Sequence, residues 1–249
     1  MSDSQGEMSF WDHLEELRGT IVRSALAVIA LGLIVFCFKS FLFDKLIFLP
    51  ARGDFFLYRW LGIPLEFKLV NVDVSAQFFV HLKMAFATGL ILAVPYVLFE
   101  IWKFIAPALY ENEKSSCKAA FLGGGALFYL GIAVGYLLIV PLALQFFLNY
   151  SVSDMVENTI TLNSYISLFS STVLIFGLVF EFPMLVVILS SIGVINREML
   201  RKYRKHAFIA VLVVAAFVTP ADPLSMVVAA VPLWLLWELS VLCCKPAAR

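Results

Sequence analysis

The chain has 249 residues, 62% of them apolar and only 14% charged, with 18 bases against 18 acids and no net charge. Such a composition excludes a soluble domain of this length and makes the bilayer its solvent. Balanced charge with one short basic cluster also gives no footing for nucleic acid.

The first twenty residues are polar and acidic (Ser2, Asp3, Glu7, Asp12, Glu15, Glu16), the opposite of a basic stretch before a short apolar core, so no cleavable targeting segment is expected. Ser9 can cap a helix, with Asp12 three residues later at the capping-box position. Phe10, Leu14, Leu17 and Ile21 share one face, which predicts an amphipathic helix over 9–20 that lies on the membrane and runs into the first span.

A helix crosses about 30 Å of hydrocarbon with roughly 20 apolar residues. Charge interruptions mark spans near 21–40, 77–101, 118–148 and 165–194, the third long enough to tilt. Two shorter stretches, 207–219 and 224–242, flank the turn Thr219-Pro220-Ala221-Asp222-Pro223 and read as a hairpin of short helices that thins the bilayer. Pro95, Pro141, Pro183 and Pro232 each remove a backbone hydrogen bond and bend their helices. The expected fold is an all-α integral membrane protein, a single domain over 1–249, with six transmembrane helices, the last two short, in a bundle curved by these kinks, which serve either a functional concavity or closer packing.

An even count puts both termini on one side. Loops on that side carry Arg18, Lys103, Lys114, Lys118, the cluster Arg197, Arg201, Lys202, Arg204, Lys205, and then Lys245 and Arg249. By the positive-inside rule the N- and C-termini are cytoplasmic. The long first outer loop holds Lys45, Arg52, Arg59 and Lys68, offset by Asp44, Asp54, Glu66 and Asp73.

Catalytic signatures are missing. There is no HExxH, no Walker lysine loop and no nucleophile elbow, and Gly123-Gly124-Gly125 opens an apolar span, where it reads as close helix packing. His13, His81 and His206 fall near membrane edges in different segments and read as interfacial polar residues. Cys37, Cys117, Cys243 and Cys244 lack metal spacing and read as free thiols, lipidation of the terminal pair being the other reading. No metal, cofactor or enzymatic activity is expected.

Glu181 is the most informative residue on physical grounds, because it sits inside the apolar run Val173 to Leu189, where burying a carboxylate costs at least about 2.5 kcal/mol. It has to face protein or water. Two roles are open: a hydrogen bond to a backbone group freed by Pro183, or a functional carboxylate.

Four motifs resemble one family. His13-Leu14-Glu15-Glu16-Leu17-Arg18 is similar to the HLxELR signature of TatC, the multispanning C subunit of the twin-arginine protein translocase. The segment from Trp102 to Glu113, WKFIAPALYENE, resembles that family's first cytoplasmic loop. Phe176 to Pro183, FGLVFEFP, resembles its fourth-helix motif, and Thr219 to Asp222 its TPxD turn. The matches fall in the family's order across nearly the whole chain.

The resemblance implies six helices kinked into a concave cup-like bundle with both termini cytoplasmic, and a receptor and channel component that binds twin-arginine signal peptides of folded precursors at the cytoplasmic face. It implies transport driven by the proton-motive force with single-span TatA- and TatB-type subunits, self-association, and a multi-pass place in the bacterial cytoplasmic (inner) membrane. Carried over by position, the signal-binding glutamates are Glu16 and Glu113, beside Arg18, with Phe104 and Pro107 shaping the loop. Glu181, Asp222, Pro50 and Met226 match intramembrane or partner-contact positions, Met226 standing where some members carry glutamine. The bland readings stay beside these: Glu113 suits a helix N-terminus, Glu16 a solvated face, and Asp222 a helix cap. Glu100 adds an acid near the inner membrane edge that the resemblance does not explain.

A secondary transporter would also show kinked helices and a buried carboxylate, but it would carry paired broken helices in two related halves, and neither half here mirrors the other.

Overall fold

The computed structural model describes residues 10–62, 67–153, 155, 158–219 and 223–244. Helix α1 (Phe10–Cys37) is continuous through both the amphipathic segment and the apolar stretch. A π-helical segment Phe41–Ile47, a 3-10 turn Leu49–Ala51 and the short α2 (Phe56–Leu61) form the long connection to α3 (Ala76–Ile105). After a 3-10 turn at Ala106–Ala108, α4 (Glu111–Val134), a π-helical segment Gly135–Ile139 and α5 (Val140–Asn149) make one long rod. Then come α6 (Leu162–Val179), α7 (Phe182–Ser191), the short α8 (Arg197–Lys202), α9 (Arg204–Val218) and α10 (Pro223–Cys243).

Every element among the described residues is helical apart from a lone bridge between Val70 and Thr161. Five stretches are long and apolar enough to cross a membrane: His13–Cys37, Ala76–Ile105, Cys117–Asn149, Leu162–Ser191 and Ser225–Cys243. α9, with 15 residues, rises only about 22 Å and falls short of that length.

Two of the four prolines sit at breaks. Pro183 lies in the first turn of α7, just past the interruption at Phe180 and Glu181, and Pro141 opens α5 directly after the π-helical segment. At Pro183 the missing N–H falls in a first turn, where no intrahelical partner is required, whereas at Pro141 the π-helical turn just before it accommodates the lost bond within a continuous rod. Pro95 and Pro232 lie within unbroken helices.

Glycine sets how closely the rods approach. α1 packs mainly on α3, and a Cβ on Gly89 would come within 2.5 Å of the Gly32 nitrogen, so the two backbones touch. α4 crosses α6 in the same manner, because a Cβ on Gly131 would sit 2.5 Å from the Phe176 carbonyl oxygen. Small residues at crossings are the membrane helix's means of gaining van der Waals contact where lipid removes the hydrophobic drive. Of the glycine run expected to pack helices, Gly124 does so against Met184 and Glu181, Gly125 only brushes Leu98, and Gly123 faces open space. Val22, Leu26, Ile29 and Leu33 of α1 are exposed along one face, as a lipid-facing surface requires.

At the end where α1 hands over to α3, three tyrosines hold the connection. Tyr136 donates to the Leu46 carbonyl at 2.7 Å, Tyr165 donates to the Ile47 carbonyl, and Tyr58 donates to the Pro50 carbonyl at 2.9 Å. These carbonyls lie at helix ends, where backbone acceptors run out of intrahelical partners. Burial pushes the Tyr58 phenol well above its ordinary range, so it stays a donor. Tyr165 and Ile47 are both fully buried, so Tyr165→Phe should leave a buried carbonyl unpaired and cost about 1–3 kcal/mol, read as a lowered midpoint of thermal unfolding in detergent.

At the opposite end, Arg197 donates from Nε to the Val241 carbonyl at 3.1 Å and from a terminal nitrogen to the Leu242 carbonyl at 2.6 Å, capping α10. Arg204 pairs with Glu238. Two members of the basic cluster are thus spent on internal contacts. All four cysteines are free thiols.

Candidate functional site

The amphipathic start of α1 meets the end of α3. The His13 ring stacks on Phe104 with centroids 4.5 Å apart and planes 23° from parallel. That contact joins the first sequence motif to the second, which are separated by about ninety positions in the chain. Glu16 follows His13 by three residues, so it lies on the neighbouring face of α1, half-exposed. Arg18 is exposed on the same helix, and Pro107 is exposed in the 3-10 turn after Phe104. The Glu113 backbone falls in the first turn of α4, while its side chain lies outside what the structure describes. A carboxylate there has the helix dipole in its favour.

One turn before Phe104, Glu100 is buried and takes an ion pair from Arg23 of α1, Nε to Oε2 at 2.7 Å. Arg23 also donates to Thr20 Oγ1 at 3.3 Å, and Tyr96 hydrogen-bonds the Glu100 carboxyl. This pairing gives Glu100 a role: it neutralises an arginine that α1 carries into the membrane edge. From the sequence alone Arg23 goes unmarked and His13 reads as interfacial. The available signal was a lone base just inside one span and a lone acid just inside its antiparallel neighbour.

Below the loop a groove of about 520 Å³ opens between α3 and α4, walled by Pro95, Leu98, Trp102, Phe121, Leu122 and Tyr129. Trp102 meets Phe121 edge-on at 5.3 Å. The groove is apolar except for Lys118 at its edge, and so is suited to an apolar helix or strand entering from the loop.

Glu181 sits at the break between α6 and α7, 7% exposed. Both carboxylate oxygens are buried and have no hydrogen-bond partner among the described residues. The backbone hydrogen bond that the Pro183 kink could have offered is not made. Instead the carboxylate lies over Gly124 of α4, where an added Cβ would be 2.7 Å from Oε2, beside Met184. Protein, not lipid, surrounds it. Gly124 is the residue that makes room for this acid, and nothing in the one-dimensional pattern separates it from its two glycine neighbours.

The remaining positions are apart from this loop. Pro50 is buried in its 3-10 turn at the tyrosine-held end. Met226 is half-buried in α10, beside the cluster formed by Ile139, Phe176, Phe180 and Leu233. Asp222 lies outside the described residues. No group of three or more potential metal ligands occurs among the described residues.

Residues 12–232 match the family model of the Sec-independent protein translocase protein (TatC). The chain is 34% identical to the protein of that name from Blattabacterium sp. subsp. Periplaneta americana, over 97% of this chain and 96% of the relative. It is 32% identical to the Aquifex aeolicus protein, over 97% of both, and 32% identical to the Escherichia coli K12 protein, over 92% of this chain and 85% of the relative. Among solved structures, two crystal structures of a twin-arginine translocase receptor, TatC, superpose with TM-scores of 0.73 and 0.75 at 31% and 32% identity, covering 93% and 94% of this chain and 97% and 99% of theirs.

Proposed function

Because the chain belongs to the TatC family of Sec-independent protein translocase proteins, we propose that the α1–α3 junction and the start of α4 form the seat for the paired arginines of a twin-arginine signal peptide. The chain is a multi-pass membrane protein and a component of twin-arginine protein translocation, a family of transport rather than catalysis. Glu16 and Glu113 supply the two carboxylates, Phe104 and Pro107 the walls, and Arg18 sets the charge at the edge. The observation that carries the reading is the His13–Phe104 stack, which brings the two motif segments together.

The chemistry suits the substrate. A guanidinium presents a planar fork of donors to a carboxylate, whereas an ammonium is a point charge on a flexible stem. Each charge-assisted hydrogen bond contributes about 1.5–3 kcal/mol and an exposed ion pair only about 0–1. Two arginines therefore need help, and the apolar part of the signal supplies it by burial along the concave face of the bundle, entering through the groove beside Trp102.

In this reading the fold is one domain of six spans, α9 crossing as a short helix in a thinned bilayer, with both termini in the cytoplasm and the chain in the bacterial inner membrane. Single-span TatA- and TatB-type subunits pack on it, Glu181, Asp222, Pro50 and Met226 serving those contacts, and copies assemble into a multi-subunit receptor that uses the proton-motive force. The placement of basic residues on the terminal side supports this orientation.

Binding of a labelled signal peptide to the purified protein in detergent tests the seat. Arg-Arg peptide should bind at least about tenfold more tightly than Lys-Lys, and Glu113→Gln or Glu16→Gln should each remove about one order of magnitude. Equal binding of both peptides to all three proteins would overturn the assignment.

A further inference from the structure

A roomy cavity lies at the other end of the molecule. It holds about 690 Å³, inside the range of about 300–1,000 Å³ typical of ligand sites. Its walls come from the residues just past α1, from the π-helical segment Phe41–Ile47, from the segment 67–71 and from the first turns of α3. The opening therefore sits where the apolar faces of α1 and α3 end, at a membrane–water boundary.

Its lining is divided. Lys39 and Arg52 bring two positive charges and Asp44 one negative, leaving the cavity cationic. Neither base forms an ion pair among the described residues. One terminal nitrogen of Arg52 donates to the Asp44 carbonyl at 2.8 Å, which fixes the guanidinium at the wall. Asn71 and Gln77 add neutral donors and acceptors, while Phe43 and Val80 line the side toward the helices.

A phosphodiester with an attached polyol and two acyl chains answers each part of that lining. Arginine and lysine take the phosphate, the amides and Asp44 take hydroxyls, and the aromatic wall takes the start of a chain. Basic pockets between transmembrane helices recognise anionic headgroups on these terms. We propose that this cavity binds the headgroup of an anionic phospholipid of the phosphatidylglycerol type, and that the bound lipid braces the α1–α3 connection held by the three tyrosines. The site is independent of the signal seat, from which α1 and α3 separate it along nearly their whole length.

The test uses the full chain, delipidated in detergent, with phosphatidylglycerol, phosphatidylcholine or inorganic phosphate added. Native mass spectrometry should retain one phosphatidylglycerol at least tenfold more than phosphatidylcholine, and thermal unfolding should shift upward with the former only. The double variant K39Q/R52Q should lose the preference, K39R/R52K should keep it, and R201Q/K202Q, which removes exposed bases at the opposite end, should also keep it. Equal retention of the two lipids, an unaltered preference in K39Q/R52Q, loss of the preference in R201Q/K202Q, or an equal upward shift with inorganic phosphate would each overturn the proposal. Should K39Q/R52Q fail to fold, N71A/Q77A takes its place, with a weakened preference expected and an unchanged one counting against the site.

Discussion

Valine in place of Gly131 should clearly lower the unfolding midpoint and the recovery of folded protein, whereas valine in place of Gly123 should leave both unchanged. Both glycines lie in α4, so the change in helix propensity is about the same at the two positions. Their surroundings differ. A Cβ at 131 would stand 2.5 Å from the Phe176 carbonyl oxygen and 2.7 Å from Cγ of Phe180, while at 123 nothing lies within 4 Å. The obstacle at 131 is α6 backbone, which yields only if the whole helix moves away. Gly135 and Gly177 hold the same crossing nearby, so that movement would open contacts above and below. Overpacking a fitted core costs about 1–3 kcal/mol, occasionally more, and displacement of a backbone belongs at the upper end. Against a total stability of about 5–15 kcal/mol, that removes roughly a fifth or more of the margin and should be read as a clearly lowered unfolding midpoint and a reduced monodisperse peak in size-exclusion chromatography. Normal recovery of Gly131→Val would mean that α4 and α6 are not in backbone contact.

Glu181→Met should give a protein that is more stable and does not transport. The glutamate is buried, both oxygens lack partners among the described residues, and Met184 beside it shows that a thioether fits these surroundings. Removing an unpaired acid from apolar surroundings should recover roughly 1–3 kcal/mol, seen as a raised unfolding midpoint. A buried, unpaired carboxylate is costly for packing alone, and the proposed role of Glu181 in transport is what the activity of this variant tests. Glu181→Gln, which keeps shape and hydrogen-bonding capacity without charge, separates the two requirements: a stable, inactive protein indicates that the ionisable proton or charge matters. A methionine variant that transports normally would remove Glu181 from the mechanism, and one that unfolds would mean that the carboxylate has a stabilising partner.

Much of this protein is visible one residue at a time. Runs of apolar residues between charges mark the long helices, and the first twenty residues announce an amphipathic start. Glu181 stands out because a carboxylate amid Val173 to Leu189 violates the surrounding pattern. The segment between Ala207 and Thr219 reads as short from its length alone, and α9 has 15 residues.

Other features depend on helix rotation and are silent in the sequence. Arg23 and Glu100 are 77 positions apart and look like two stray charges until α1 and α3 are laid antiparallel with Gly32 facing Gly89. His13 looks interfacial until Phe104 lies under it. Tyr165, in an apolar helix, is indistinguishable from a lipid-facing aromatic until Ile47 offers it a carbonyl. Composition and hydropathy thus determined the solvent, the helices and the presence of a costly acid, because those follow from transfer free energies summed along the chain. Which glycine admits a neighbour, which bases are neutralised and which remain to line a cavity were decided only by the tertiary structure, because contacts between helices depend on the azimuth and depth of each one, and no local pattern encodes either.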